Sequence, residues 1–275
     1  MGLAMSNPEH GKIYLVGAGP GDPELLTLKA HRLLREARLV LHDDLVPREI
    51  LALAGPHAQV VNVGKRCGAK RITQAEINDM MIEASRAGKD LVRLKSGDPA
   101  IFGRLGEELD ALNDADVPFE IVPGITAGIA AAASLGMSLT DCRTASRLLI
   151  ASAHHASEQA ARESAPGSKQ DWSGLSRGDT TLMIYMPGHG LEGLRDELLE
   201  AGLAKDTPAI LVSNATTRRQ RYRHTTLAEI ATGTQLAAPS VLLIGRALDR
   251  ARGGARASRE VSLLIDQAAA ALASK

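Results

Sequence analysis

Five short apolar runs punctuate the first 122 residues, and each gives way within three residues to a glycine or an aspartate. They are Ile13–Val16, Arg38–His42, Gln59–Val63, Asp90–Leu94 and Phe119–Val122. Runs this short and this apolar suit strands buried on both faces, which is the situation in a parallel sheet covered by helices. The stretches between them carry helical spacing. Pro23–Arg38 repeats leucine at that period, with Asp22 as cap and Pro23 at the first helical position. Thr73–Ala87 opens with Thr73 and Glu76 at capping-box spacing, and Gly106–Asn113 and Thr126–Leu135 follow. Strand and helix in alternation predict an α/β fold with a parallel, doubly wound sheet.

The composition shifts near residue 138. Leu148–Ala153, Thr180–Tyr185, Thr207–Val212 and Ser240–Ile244 read as strands and Leu191–Ala201 as a helix, while Ser157–Asp179 is a polar connection. The expected organisation is therefore an N-terminal α/β domain over 1–137, a second α/β domain over 138–248 and an Ala-rich helical tail over 249–275. Apolar residues are 44% of the chain and aromatics 2%, so Leu, Ile, Val and Ala must fill the core. Thirty-two basic residues balance thirty-two acidic ones, which argues against a general nucleic-acid binder. Two cysteines and no C-x-x-C favour a reducing compartment and offer no metal motif. Residues 1–11 lack the apolar stretch of a secretory signal, and the longest apolar stretch, Ile125–Leu139, is too short to span a bilayer. The expectation is a cytoplasmic protein that does not enter the membrane.

Chemistry concentrates where strands end. Gly17-Ala18-Gly19-Pro20-Gly21-Asp22 mimics a dinucleotide fingerprint, with Asp43 standing where a ribose-binding acid would fall. Asp22 occupies the final glycine position, however, and its carboxylate would repel a pyrophosphate; Pro20 also removes an N–H donor. Lys95-Ser96-Gly97-Asp98-Pro99 with Phe102-Gly103-Arg104 forms a second loop beyond a strand. Neither loop ends in the Gly-Lys-Ser/Thr of a phosphate loop. An acid in each suits a ligand with hydroxyls and a cation, and S-adenosylmethionine has both. Asp43 and Lys65 also follow strand ends, where they are candidates to accept and donate a proton. By themselves these two residues read more readily as a surface ion pair or as two solvated side chains. Arg218, Arg219, Arg221 and Arg223 form an anion-binding candidate or a solvated charge run flanking a strand.

Read in order, Val16–Pro23, Leu25–Ala30, Asp43 before Leu45-Val46, Val63–Arg66, Gly97–Pro99 with Phe102–Arg104, and Val122–Ala127 resemble the tetrapyrrole methylase family over about residues 11–248. The Val63-Gly64-Lys65-Arg66 segment points to the branch that acts on uroporphyrinogen III. The resemblance implies two α/β domains with S-adenosylmethionine in the cleft between them, and a homodimer. It implies C-methylation of uroporphyrinogen III at C-2 and C-7, giving precorrin-2 for sirohaem or cobalamin and leaving S-adenosylhomocysteine. A related precorrin methyltransferase and a catalytically inactive donor-binding paralogue are the alternatives. By position, Pro20, Ser96, Gly97, Asp98, Ile101, Thr126, Ala127, Met186 and Ala215 match cofactor contacts, Asp43 the proton acceptor and Lys65 the proton donor. The chain departs from the family at Ser96 (usually Gly), Asp44 (Arg), Lys70 (His), and Asp141 and Cys142 (His and Arg). Most departures thus fall on the tetrapyrrole side.

Overall fold

A computed structural model describes residues 10–64, 72–153, 172, 175, 178–188, 190–233 and 236–251. The chain divides into two compact units, Met1–Ala127 and Gly128–Lys275. Sequence reading put this boundary after residue 137. The earlier division has a packing cause: helix α5 (Ala127–Ser134) buries Ala131 and Ala132 among Met183, Ile210, Val212 and Leu243 of the second unit.

The first unit carries β1 (Ile13–Gly17), α1 (Leu28–Glu36), β2 (Leu39–His42), α2 (Arg48–Leu51), β3 (Gln59–Asn62), α3 (Gln74–Arg86), β4 (Leu91–Lys95), α4 (Leu105–Asp114) and β5 (Phe119–Val122). All five strands are parallel, in the order β3-β2-β4-β1-β5. Side chains alternate across this sheet. Val16, Val40, Val92 and Leu94 meet Ala30, Leu33 and Leu34 of α1 on one face. Leu15, Leu41 and Leu91 meet Ile77 and Met81 of α3 and Leu112 of α4 on the other. The helix expected over Pro23–Arg38 is broken in two. Asp22 accepts the Glu24 N–H at 2.9 Å and caps a 3-10 turn over Pro23–Leu25, and Thr27 then caps α1 separately. The capping box of Thr73 and Glu76 forms as expected.

The second unit holds β6 (Arg147–Ser152), β7 (Thr180–Tyr185), α6 (Leu191–Glu200), β8 (Pro208–Ser213), β9 (Arg221–Thr226) and β10 (Ser240–Ile244). Its sheet is mixed, in the order β6-β7-β10-β8-β9, with only β6 and β7 paired in parallel. One face packs on α6 and the other on α5. Strand β9 was not anticipated, because the sequence reading left its arginines as a charge run. As an edge strand it tolerates them. Arg223 binds the turn that follows, donating to the Ile230 carbonyl at 2.7 Å and also to that of Thr232. Among the described residues no helix is long and apolar enough to cross a membrane. The tail beyond residue 251 and most of 157–179 lie outside the described residues.

Candidate active site

Strands β1 and β4 are neighbours, yet the helices that follow them cover opposite faces of the first sheet. The rim beyond their carboxyl ends is the usual ligand position in an open parallel sheet. Both glycine loops rise from this point. They are tied together by a reciprocal backbone pair, Gly19 N–H to Gly97 O at 3.1 Å and Gly97 N–H to Gly19 O at 2.8 Å. Gly124 joins them from β5: a Cβ there would stand 2.2 Å from the Gly97 carbonyl oxygen. Gly97 itself adopts φ +69, and its open side lies 3.8 Å from Thr126 Cα and 3.9 Å from Ala127 N. Pro20, Ser96, Gly97, Asp98, Ile101, Thr126 and Ala127 are thereby brought to one rim of the first unit.

The two loop acids are occupied by their own backbone. Asp98 accepts the Ala100 N–H at 2.8 Å through one oxygen and the Gly124 N–H at 2.9 Å through the other. It clamps the β4 loop onto the β5 loop, a task the sequence reading did not give it. The left-handed backbone of Phe102 and Arg104, φ 51 and 54, continues the irregular rim beyond it.

Asp43 stands one residue beyond β2, with its N–H 3.3 Å from the Leu94 carbonyl. Its carboxylate is a third exposed and accepts from Arg93 Nη2 at 2.5 Å. Behind that contact lies a row of charges the sequence reading missed. Arg93 Nε donates to Glu108 at 2.9 Å, and Lys95 Nζ lies 2.8 Å from each Glu108 carboxylate oxygen. Gln74 Nε2 adds a long contact to the same carboxylate at 3.4 Å. Arg93 and Lys95 are 2% exposed and Glu108 0%. Burial, reinforced by repulsion from Arg93, holds the Lys95 pKa below its ordinary value, against the pull of Glu108. A strand in which every second residue is Leu91, Arg93 and Lys95 gave a faint signal, but its partner Glu108 sits on another element.

Lys65, the other residue expected to move a proton, lies outside the described residues, as does Lys70. The approach to Lys65 is described. Asn62 donates to Asp44 at 3.0 Å and accepts the Gly64 N–H at 2.7 Å, so Asp44 helps to fix the turn after β3.

In the second unit, β7 and β8 both pair antiparallel with β10 and so run in the same direction. Tyr185 and Val212 flank Val241, which puts Met186 and the 214–216 turn at one sheet end. Met186 is left-handed at φ 52 and 43% exposed. Ala215 sits between left-handed Asn214 and Thr216, φ 49 and 63. Such conformations cost roughly 1–3 kcal/mol each and gather where a backbone must meet a ligand. The arginine run does not form one site: Arg223 is committed to its turn, while Arg218, Arg219 and Arg221 are exposed.

Residues 12–231 match the profile of the Tetrapyrrole (Corrin/Porphyrin) Methylases. The uroporphyrinogen-III C-methyltransferase of Pseudomonas aeruginosa is 42% identical over 238 residues, covering 86% of this chain and 93% of that protein. Siroheme synthase 2 of Aeromonas hydrophila is 41% identical over 245 residues, 89% of this chain, and the chain spans 50% of that protein's length. Among solved structures, the uroporphyrin-III C-methyl transferase of Thermus thermophilus complexed with S-adenyl homocysteine superposes with a TM-score of 0.70 at 37% identity, covering 87% of this chain and 94% of that one. With its fold, its glycine rim and four-fifths of its length thus accounted for, the chain belongs to the tetrapyrrole methylases.

Proposed function

We propose that this chain is an S-adenosylmethionine-dependent methyltransferase that acts on uroporphyrinogen III, methylating C-2 and C-7 to give precorrin-2. The observation that carries the reading is the rim at the carboxyl ends of β1 and β4, where the two glycine loops are locked together at Gly19 and Gly97 and the Asp43 carboxylate after β2 is partly open to solvent. Two of the relatives named above are called a uroporphyrinogen-III and a uroporphyrin-III C-methyltransferase, the second complexed with S-adenyl homocysteine, which supports this reading.

The rim fits a nucleoside with a cationic sulfur better than one with a pyrophosphate. It offers backbone amides and carbonyls and the half-buried side chains of Ser96 and Ile101, and the acids of its two glycine loops, Asp22 and Asp98, would repel a pyrophosphate. Pro20, Ser96, Gly97, Asp98, Ile101, Thr126, Ala127, Met186 and Ala215 are assigned as its contacts. The bound donor supplies a methyl group on a sulfonium. The protein's part is to align two reactants, which is worth about 7–11 kcal/mol when the reacting atoms are well placed. Asp43 accepts the proton that leaves the methylated macrocycle, a role worth roughly 10²–10⁴ in rate. Lys65 is assigned as the proton donor. We infer further that the protein works as a homodimer in the cytoplasm. Exposed Val60 and Ile121 on the edge strands of the first sheet, and Leu148 and Leu149 on β6, support a second copy, and the exposed free thiol of Cys142 suits a reducing compartment.

Calorimetry with S-adenosylhomocysteine and with NAD, followed by anaerobic incubation with uroporphyrinogen III and S-adenosylmethionine, tests the reading. Homocysteine-nucleoside binding and the absorbance of a dimethylated product are expected. NAD binding alone would end it. Turnover only of an already methylated substrate would move the chain to a later step, and binding without turnover would make it an inactive paralogue. Sedimentation at micromolar concentration tests the dimer.

A further inference from the structure

We infer that Arg93 is a positioning residue for Asp43, held in place from behind by Glu108 and Lys95; this rests on the reading of Asp43 as the proton acceptor. Leu39 and Leu41 pack on the α3 and α4 side of the sheet, so alternation brings Asp43 to that same side. Leu91 fixes the same side for Arg93 and Lys95. Asp43 therefore meets β4 on the face where α4 delivers Glu108.

The guanidinium works as a rigid bridge. Its Nε faces Glu108 at 2.9 Å and its Nη2 faces Asp43 at 2.5 Å, so one planar group spans the two carboxylates. Lys95, 2.8 Å from both Glu108 oxygens, fixes the carboxylate that fixes the arginine. The three buried members carry a net charge of +1 (Arg93, Lys95 and Glu108), and the Asp43 carboxylate brings the row to zero. Asp43 is the one member that reaches solvent. One of its oxygens is thus pinned by Arg93, and among the described residues no partner holds the other, which is left for the proton. A carboxylate on the end of a loop would otherwise rotate freely, and a displacement of about 1 Å at a reacting group costs on the order of 10²-fold in rate.

The test is a double-mutant cycle in single turnover with radiolabelled methyl donor, so that large losses stay measurable. Asp43→Asn is expected to lower the methyl-transfer rate about 10²–10⁴-fold. Arg93→Gln, which leaves Glu108 and Lys95 as a balanced pair, is expected to lower it about 10²-fold. Its affinity for S-adenosylhomocysteine and its apparent KM for the macrocycle should stay within about twofold of the parent. In the Asp43→Asn background, Arg93→Gln should add no further loss. An Arg93→Gln rate equal to the parent while Asp43→Asn is slow would overturn the inference alone. So would the same loss in both backgrounds, which would make Arg93 merely structural. A parent-like rate for Asp43→Asn would remove the acceptor role itself, and this inference with it. If Arg93→Gln fails to fold, Arg93→Lys enters the same cycle. It keeps the charge but cannot span both carboxylates, and the same coupling is expected.

Discussion

Replacing Glu108 by glutamine keeps the side-chain volume and removes the charge at the centre of the buried row. Among the described residues, Glu108 is the sole anion within hydrogen-bonding reach of Lys95 and one of two beside Arg93, at 2.8 and 2.9 Å. Its loss leaves buried Lys95 without its anion and the row with a net charge of +1. Breaking a buried ion pair from one side costs roughly 3–5 kcal/mol, a large part of the roughly 5–15 kcal/mol that holds a typical domain. The amide adds to the cost, since its N–H groups face donors on Arg93 or Lys95. The loss should depend on pH in a specific direction. In the parent, Glu108 is what chiefly opposes the burial and the Arg93 repulsion that push the Lys95 pKa down. Without it, Lys95 gives up its proton at still lower pH. Once Lys95 is neutral in the folded protein, the unfolded chain binds more protons than the folded one, so stability rises with pH until the ordinary lysine range is passed. Urea unfolding of Glu108→Gln and parent, followed by far-UV circular dichroism at about pH 7 and about pH 9.5, measures both effects. The expected deficit is about 3–5 kcal/mol at the lower pH and smaller at the higher. A deficit below about 1 kcal/mol near neutrality, or one that does not shrink with pH, would refute the account of the row as a charge network.

Further outcomes follow from packing and from surface charge. Gly124→Ala should destabilise the first unit more than Gly97→Ala, by thermal melts on both. The new Cβ at 124 meets a carbonyl oxygen at 2.2 Å, whereas at 97 it has 3.8 Å of room and costs only the left-handed backbone, about 1–2 kcal/mol. Gly128→Ala should cost roughly 1–3 kcal/mol by overpacking, because its Cβ would stand 2.2 Å from Met183 Sδ. Met183→Ala should rescue it partly in a double mutant, and strict additivity would count against the clash. Glu120, bound by Lys12 at 2.8 Å and by Lys29, has its pKa lowered chiefly by those two hydrogen bonds. Its contribution is present above the ordinary glutamate pKa and is lost as pH falls through the lowered one. Glu120→Gln should therefore cost under about 1 kcal/mol at neutral pH and nothing in strong acid, with both values read from urea midpoints.

The parallel sheet was legible because its strands are buried on both faces and must be apolar along their length. Capping chemistry was legible for the same kind of reason: Thr73 and Glu76 are three residues apart, and both of their bonds form. What failed to read from the sequence was either short or long-range. Arg48–Leu51 makes one helical turn, too brief for a period to register. Leu26-Thr27 interrupts a leucine pattern that looked continuous, since Thr27 starts a helix of its own. Strand β9 is an edge strand with one partner, so nothing forces its residues to be apolar. The buried row was hidden more deeply. A lysine and an arginine in a strand read as exposed, and the residue that permits their burial, Glu108, lies thirteen positions beyond Lys95 on a helix. No local spacing rule encodes that match.

The family departures take on a physical sense once the backbone is known. Ser96 replaces a glycine beside Gly97, yet only Gly97 is left-handed, so the close approach in that loop does not require a bare Cα at 96. Asp44 puts an anion where the family has a cation, but Asn62 donates to it at 3.0 Å and the Asp44–Gly64 contact leaves no room for a Cβ at 64. Asp141 is likewise held by Arg143, at 2.9 and 2.8 Å, with its carboxylate also accepting the Arg143 N–H. Asp44 and Asp141 thus each have a partner a short distance away, and the backbone of the rim is carried by other residues: Asp98, Gly97 and Gly124. The Asp43 carboxylate is different, because the side chain that orients it, Arg93, is buried and is itself held by Glu108. Changes at Asp44 or Asp141 should therefore act on their own turns, read as a lower melting temperature, whereas changes along the Asp43–Arg93–Glu108 row should act on the proposed proton transfer, read as a lower single-turnover rate.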